Sequence, residues 1–323
     1  MPDTTAKAVA TGAASHQGST SSHHSEDDGH VDTAELSKKS QNPVGDMITV
    51  PIETIASFNA PPVDSTQVIS TLKPVVPMHL NSDWNLITRA IVPIVAHPAD
   101  MGPVESYFDT GSGLGDIIMQ FYLTPAKPGK WIWGVGPQIQ LPTATHEMLG
   151  SGKWGAGPAA VLLTMRGHWV VGGLLSQMWS FAGDDTMDLR KDLIVGVKNG
   201  MPATASRLPR EDVSQTVFQP IINYNLKHGW FLSSSPVMTV NWEADGGNKL
   251  TLPVGGGIGK TFHLGKQPMQ WTLKSYYNVV RPDNASNWQV AFQVSWLFPK
   301  KPEPDKMRTT VVAGPGKDSG KSE

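Results

Sequence analysis

The feature that most constrains this chain is an alternation of apolar and polar residues held over runs longer than a soluble strand needs. In "NWQVAFQVSWLF", Trp288, Val290, Phe292, Val294, Trp296 and Phe298 fall on one face, with Gln289, Ala291, Gln293 and Ser295 on the other. "MQWTLKSYYNVV" repeats the pattern, with Met269, Trp271, Leu273, Tyr277 and Val279 opposed by Gln270, Thr272, Lys274, Tyr276 and Asn278. Side chains alternate across a strand, so each run has one apolar and one polar face.

Extending this period along the chain predicts twelve strands, near 51–58, 66–79, 84–95, 114–124, 130–141, 154–164, 168–181, 214–226, 229–241, 249–263, 269–280 and 287–298. Soluble strands average about five or six residues, whereas a tilted strand crossing a bilayer needs about nine to eleven. Most of these runs reach the longer length. Their connections alternate between short turns, such as "LNSD", "MRG" and "KH", and long links, of which 182–213 is the longest. That is the pattern of a bacterial outer-membrane barrel, and an even strand number puts both of its ends on the short-turn side.

Eleven tryptophans supply a separate test, because amphipathic rings collect at the two bilayer interfaces. Trp84, Trp131, Trp133, Trp169, Trp230, Trp271 and Trp296 fall at short-turn ends, and Trp154, Trp179, Trp242 and Trp288 at long-loop ends. A soluble sandwich would instead draw some of them into strand centres.

The expected fold is therefore all-β, a twelve-stranded antiparallel transmembrane β-barrel at residues 51–299. Residues 1–33 are Ser-, His- and Gly-rich without aromatics and read as a disordered tail. Residues 34–50 read as a short helix or plug broken near Pro43, and 300–323 as a disordered C-terminal tail. No basic start followed by an apolar stretch marks a secretory signal in "MPDTTAKAVATGAASHQGST". The formal net charge of −2 gives no field for nucleic acid, and the absence of cysteine excludes disulfides, thiolate metal sites and thiol catalysis. The expected partners are outer-membrane lipid and a small hydrophobic solute, with no cofactor, and the oligomeric state is left open.

Site candidates follow from the inward polar face: Lys73, Asn85, Arg89, Asp116, Gln120, Gln138, Gln140, Gln219, Asn223, Asn225, Gln270, Lys274, Gln289 and Gln293. Charges there need partners or water, and Asp116 reads as the clearest inward acid. Eight-stranded barrels are filled by side chains and sixteen-stranded ones hold channels, so twelve implies a narrow or plugged passage. In "LPVGGGIGKTF", Gly255, Gly257 and Gly259 fall inward, leaving lumen space or letting a plug approach. Lys260 falls on the apolar face near the short-turn interface, where it can snorkel.

Several motifs compete with this reading. Gly259-Lys260-Thr261 imitates a phosphate loop, but the spacing puts its first glycine at Val254, and another alternating run follows instead of a helix. "FDTGSG" at 108–113 matches an aspartic-protease signature in a single copy, where that chemistry needs two carboxylates. "HHSEDDGH" and Asp184, Asp185, Asp188 and Asp192 offer metal ligands, yet solvated segments explain both, so no metal is expected.

Seven stretches together resemble a known family: "KKSQNPVGDMITVP", "DWNLITRAIVPIV", "GLGDIIMQFYLTPAKPGKWIWGVGPQIQLPTAT", "LGSGKWGAGPAAVLLT", "FQPIINYNL", "GWFLSSSPVMTVNWEAD" and "YYNVVRPD". They are similar to the bacterial transporter-like proteins of the phenol-degradation MetA-pathway family over roughly 36–299. The resemblance implies an outer-membrane location and uptake of aromatic or other hydrophobic compounds. Two alternatives stay open: lipid hydrolysis by a serine among Ser233–Ser235 with His168, and a non-conducting barrel whose loops bind a partner.

Overall fold

The computed structural model describes residues 33–60, 65–96, 112–198, 201–283 and 285–299. Its barrel strands are β1 (Ile48–Ala60), β2 (Ser65–Leu72 and Val75–His79), β3 (Trp84–Ala96), β4 (Ile117–Pro125), β5 (Ile132–Leu141) and β6 (Lys153–Arg166). They continue with β7 (Trp169–Gly183), β8 (Ser214–Asn225), β9 (Trp230–Ser234 and Met238–Asn241), β10 (Leu250–Leu264), β11 (Gln267–Val280) and β12 (Trp288–Phe298). Each pairs antiparallel with its sequence neighbours, and β12 closes on β1 from Ile48↔Phe298 to Phe58↔Trp288. The twelve-stranded barrel expected from the alternation is the fold.

Closure follows from the medium. A backbone amide facing hydrocarbon has no water to bond, and each orphan costs several kcal/mol, so a spanning sheet must have no edge. The outward residues agree: Ile52, Phe58, Leu162, Leu175, Phe218, Ile222, Val254, Leu273 and Phe292 stand exposed on the outer surface. A chain in water would not leave so wide an apolar band uncovered.

The link 182–213, read from sequence as a loop, departs from that expectation. Thr186–Lys198 and Met201–Pro209 form a separate two-stranded hairpin. Its base is tied to the barrel rim by polar contacts: Lys153 bonds Asp185 and lies 3.2 Å from Asp212, and Arg210 pairs with Glu147. The Lys153 ammonium, bonded to the Asp185 carboxylate, holds that carboxyl below its ordinary range. Turn-like composition and charge hid this hairpin in the sequence.

At the short-turn end, α1 (Thr33–Ser40) turns inward and is followed by a turn, closed by Gly45 N donating to the Asn42 carbonyl, that leads into β1. Pro43 disfavours helical backbone at Asn42 and so ends the helix. Leu36 and Ser37 are buried, and Val44 joins Val75, Ile87, Tyr122, Leu163, Val170 and Leu174 in an apolar cluster inside the barrel. Burying apolar side chains is worth roughly 1.5–3 kcal/mol each, which holds the segment in place.

Two neighbouring ladders are interrupted at facing glycines and prolines. Between β4 and β5 no pair forms opposite Gly136 and Pro137, and between β6 and β7 none forms opposite Gly157 and Pro158. Proline has no amide to donate. The glycines permit close backbone approach there: a Cβ on Gly157 would lie 1.8 Å from the Gln177 carbonyl oxygen, and one on Gly136 1.9 Å from that of Phe121. Gly157→Ala is expected to prevent closure of β6 on β7. On a gel, detergent-extracted protein should run faster unheated than boiled, the Gly157→Ala protein should lose the fast band, and Gly129→Ala, which meets no neighbouring atom, should keep it.

Candidate functional site

The barrel interior is divided between an apolar wall and a charged one. On the charged side, Glu53 of β1 sits opposite Thr71 of β2 and Gln293 of β12. Its carboxylate binds two lysines: Lys73, from the break in β2, bonds Oε2, and Lys274 of β11 lies 3.2 Å from Oε1. Lys274 also donates to Ser235 Oγ at 3.4 Å. Arg89 of β3 lines the same cavity, and no hydrogen bond or ion pair is formed to it among the described residues.

The cavity measures about 170 Å³ and is floored by Ser40–Pro43 of the N-terminal segment. Its apolar side is Val75, Leu174, Ile221 and Phe231. Thr272 and Asn223 line it too, and Thr272 Oγ1 and Asn223 Oδ1 are buried without a protein hydrogen-bond partner.

The three inward glycines make room for this wall. Gly257 and Ala291 flank Lys274 across its two ladders. A Cβ on Gly259 would fall 2.2 Å from the ring of buried Phe231, and Gly255 faces Tyr276 at φ 159°. The space they leave is filled by Lys274, Phe231 and Tyr276, while the segment from α1 meets a different glycine, Gly229, beside Thr33.

The remaining inward candidates form shorter networks. Gln120 donates to Gln138 at 2.9 Å, Gln138 to the Gln177 carbonyl at 3.1 Å, and Gln140 to Ser151 at 2.7 Å. Gln138 thus satisfies a carbonyl that the β6–β7 break leaves free. Asn85 bonds His79, Gln219 donates to the Ser235 carbonyl, and Gln293 donates to Ser295. Asn225 receives Gln41 at 2.9 Å and Ser37 at 3.3 Å, and Gln270 donates to Ser40 at 2.8 Å, so these two hold the N-terminal segment. Gln289 lies toward the long-loop rim, opposite Ser57 and Tyr276.

Asp116 is a correction. It stands before β4 at the rim, accepting from Ser151 N at 2.6 Å and Ala144 N at 3.2 Å, so it braces a loop and faces none of the three cations. The acid that pairs with the two lysines is Glu53, absent from the sequence reading. In "PIETIASF" inward Ile55 and outward Thr54 break the clean alternation, and that weakened the signal for Glu53.

On the outside, Trp84 packs edge-on with Trp133 and Trp230 with Trp271 at the short-turn end, and Lys260 lies 4.9 Å over the Trp230 ring. Trp131, Trp169 and Trp296 lie at the same end, and Trp154, Trp179, Trp242 and Trp288 at the other. Trp242 Nε1 donates to Thr216 Oγ1 at 2.8 Å.

The competing motifs do not converge. His168 bonds the Asn225 carbonyl, Ser234 donates to the Gly255 carbonyl, and Ser235 contacts Lys274, so no serine–histidine pair forms among the described residues. Gly259-Lys260-Thr261 lies within β10, with no helix after it. No group of three or more candidate metal ligands gathers among the described residues. "HHSEDDGH" and most of "FDTGSG" fall outside them, as do the side-chain surroundings of Asp192.

Removing the carboxylate would strand two ammonium groups in a low-dielectric interior. Glu53→Gln should therefore destabilise the folded barrel by about 3–5 kcal/mol, the usual cost of breaking a buried pair by removing one partner. The transition of the heat-modified band with temperature measures it, and adding Lys274→Met should recover part of the loss.

Residues 53–194 match the family described as "Putative MetA-pathway of phenol degradation". No curated protein sequence matches the chain. Among solved structures, an outer membrane channel from Pseudomonas putida F1 aligns with a TM-score of 0.52 at 14% identity, covering 78% of this chain and 95% of that one. The CymD monoaromatic hydrocarbon channel aligns at 0.45 and 12% identity, over 84% and 91% of the two chains. Outer membrane phospholipase A from Escherichia coli aligns at 0.36 and 12% identity, over 79% and 97%. Identities this low speak for the fold alone. The chain is thus a closed twelve-stranded antiparallel β-barrel with an apolar outer band, whose residues 53–194 match that family model.

Proposed function

We propose that this barrel gives passage across the outer membrane to small hydrophobic molecules, aromatic ones among them. The observation that carries the reading is an apolar pocket of about 690 Å³ in the barrel wall at the two ladder breaks. It is lined by outward Val135 and Leu175 and by inward Ala159 and Ser176, with Gly136, Pro137, Gly157 and Pro158 between them. Its size and lining fit a small apolar ligand. It lies just inside the belt formed by Trp154 and Trp179, since Ala156 pairs with Trp179 and Gly157 follows. The lumen below is occupied by Ser40–Val44, which favours narrow passage over an open pore.

The family match and the names of the similar channels point the same way: one is called a monoaromatic hydrocarbon channel. The hydrolase alternative is disfavoured by the side chains, because its serine and histidine lie in separate hydrogen-bonding arrangements.

Two measurements test the reading. Uptake of toluene by proteoliposomes should exceed that of protein-free vesicles, and Ser176→Phe, which fills the wall pocket, should lower it severalfold without altering the heat-modified band. Equal uptake with and without protein would overturn the function. Deleting residues 33–46 should raise single-channel conductance in planar bilayers severalfold, and an unchanged value would remove the plugging role of that segment.

A further inference from the structure

The lumen carries more positive charge than its own acid can answer. Both oxygens of Glu53 are committed, one to Lys73 and one to Lys274. Arg89 remains on the same cavity with no carboxylate facing it among the described residues. A guanidinium in a partly dry interior is stable when paired, and its fork of donors fits a carboxylate in two parallel bonds.

The rest of the cavity narrows the chemistry. Thr272 lines the same cavity and its buried hydroxyl has no protein partner, in a residue only 5% exposed. Phe231, Ile221 and Leu174 face the cations from the other side. At about 30 Å³ per water, 170 Å³ holds roughly six waters or one small organic molecule. An inorganic anion would leave the apolar side wet, and a neutral hydrocarbon would leave the cations unanswered.

We propose that the lumen contains a binding site for a small organic carboxylate bearing an apolar group, held by Arg89 with Thr272 beside it. Lys73 and Lys274 add a positive field, and Phe231, Ile221 and Leu174 receive the apolar end. The inference refines the proposed passage by naming a charged class of solute, and it rests on that reading only for its biological sense. The site itself is a matter of binding.

The test is calorimetric titration of the full chain, folded in detergent, with sodium benzoate, benzyl alcohol and inorganic phosphate. Benzoate should bind at least about tenfold more tightly than either of the others, the gain expected of a charge-assisted bond. Arg89→Gln should remove that advantage and leave benzyl alcohol unchanged, in protein that keeps the heat-modified band. Arg89→Lys, which keeps the charge and loses the fork, should bind benzoate with intermediate strength and serves if the first variant does not fold. Benzoate no tighter than benzyl alcohol, or affinity indifferent to Arg89, would overturn the site, and phosphate equal to benzoate would overturn its organic character. Toluene uptake separates the two readings: benzoate binding without toluene transport removes the proposed passage of hydrocarbons and leaves the anion site, and the reverse removes the site alone.

Discussion

Every other feature of this protein depends on the pairing of β12 with β1. Hydrocarbon offers no hydrogen bonds, so a spanning sheet survives only when its last strand satisfies its first. Eleven residue pairs join the two strands without a register shift, and Ile48 and Phe298 bring both ends of the barrel to one rim. Once the ring is closed, the outward side chains answer to lipid and the inward ones to each other. The alternation is the imprint of that division on the sequence.

Inside the ring two solutions coexist. One arc is packed like a soluble core around Ile87, Tyr122, Leu163 and Val170, with Val44 of the N-terminal segment as one of its members. The opposite arc is polar, with Glu53 holding two lysines and small residues beside Lys274 giving its long side chain a place to lie. The wall is interrupted where prolines and glycines fall opposite one another, at Pro137 and Pro158, and there the Gln138 side chain takes over a lost backbone contact.

The strands were legible because period two is enforced along their whole length: 269–280 and 287–298 read from sequence nearly coincide with β11 and β12. Lipid permits few exceptions on the outer face. The interior is less legible, since a lumen accepts both Ile55 and Glu53 on one face, and partner choice depends on which strands meet across the barrel. Nothing local in the sequence links Glu53 to Lys274, 221 positions apart. The hairpin at 186–209 escaped for a different reason: its sequence shows no sustained period-two alternation and reads as a charged link. Asp116 misled because a break before Ile117 takes it off the strand that its position in the pattern suggested.

The N-terminal segment stands immediately before β1, the strand that forms the closing seam. Ser37, Gln41 and Ser40 are bonded to Asn225 and Gln270, on strands from the second half of the chain. The earliest described residues are thus enclosed by some of the last. A ring sealed by its final strand cannot be threaded sideways afterwards, so the segment must already lie within the curving sheet, or follow through the short-turn mouth, when β12 docks. Assembly is in this sense wrapping around a guest that the chain itself supplies.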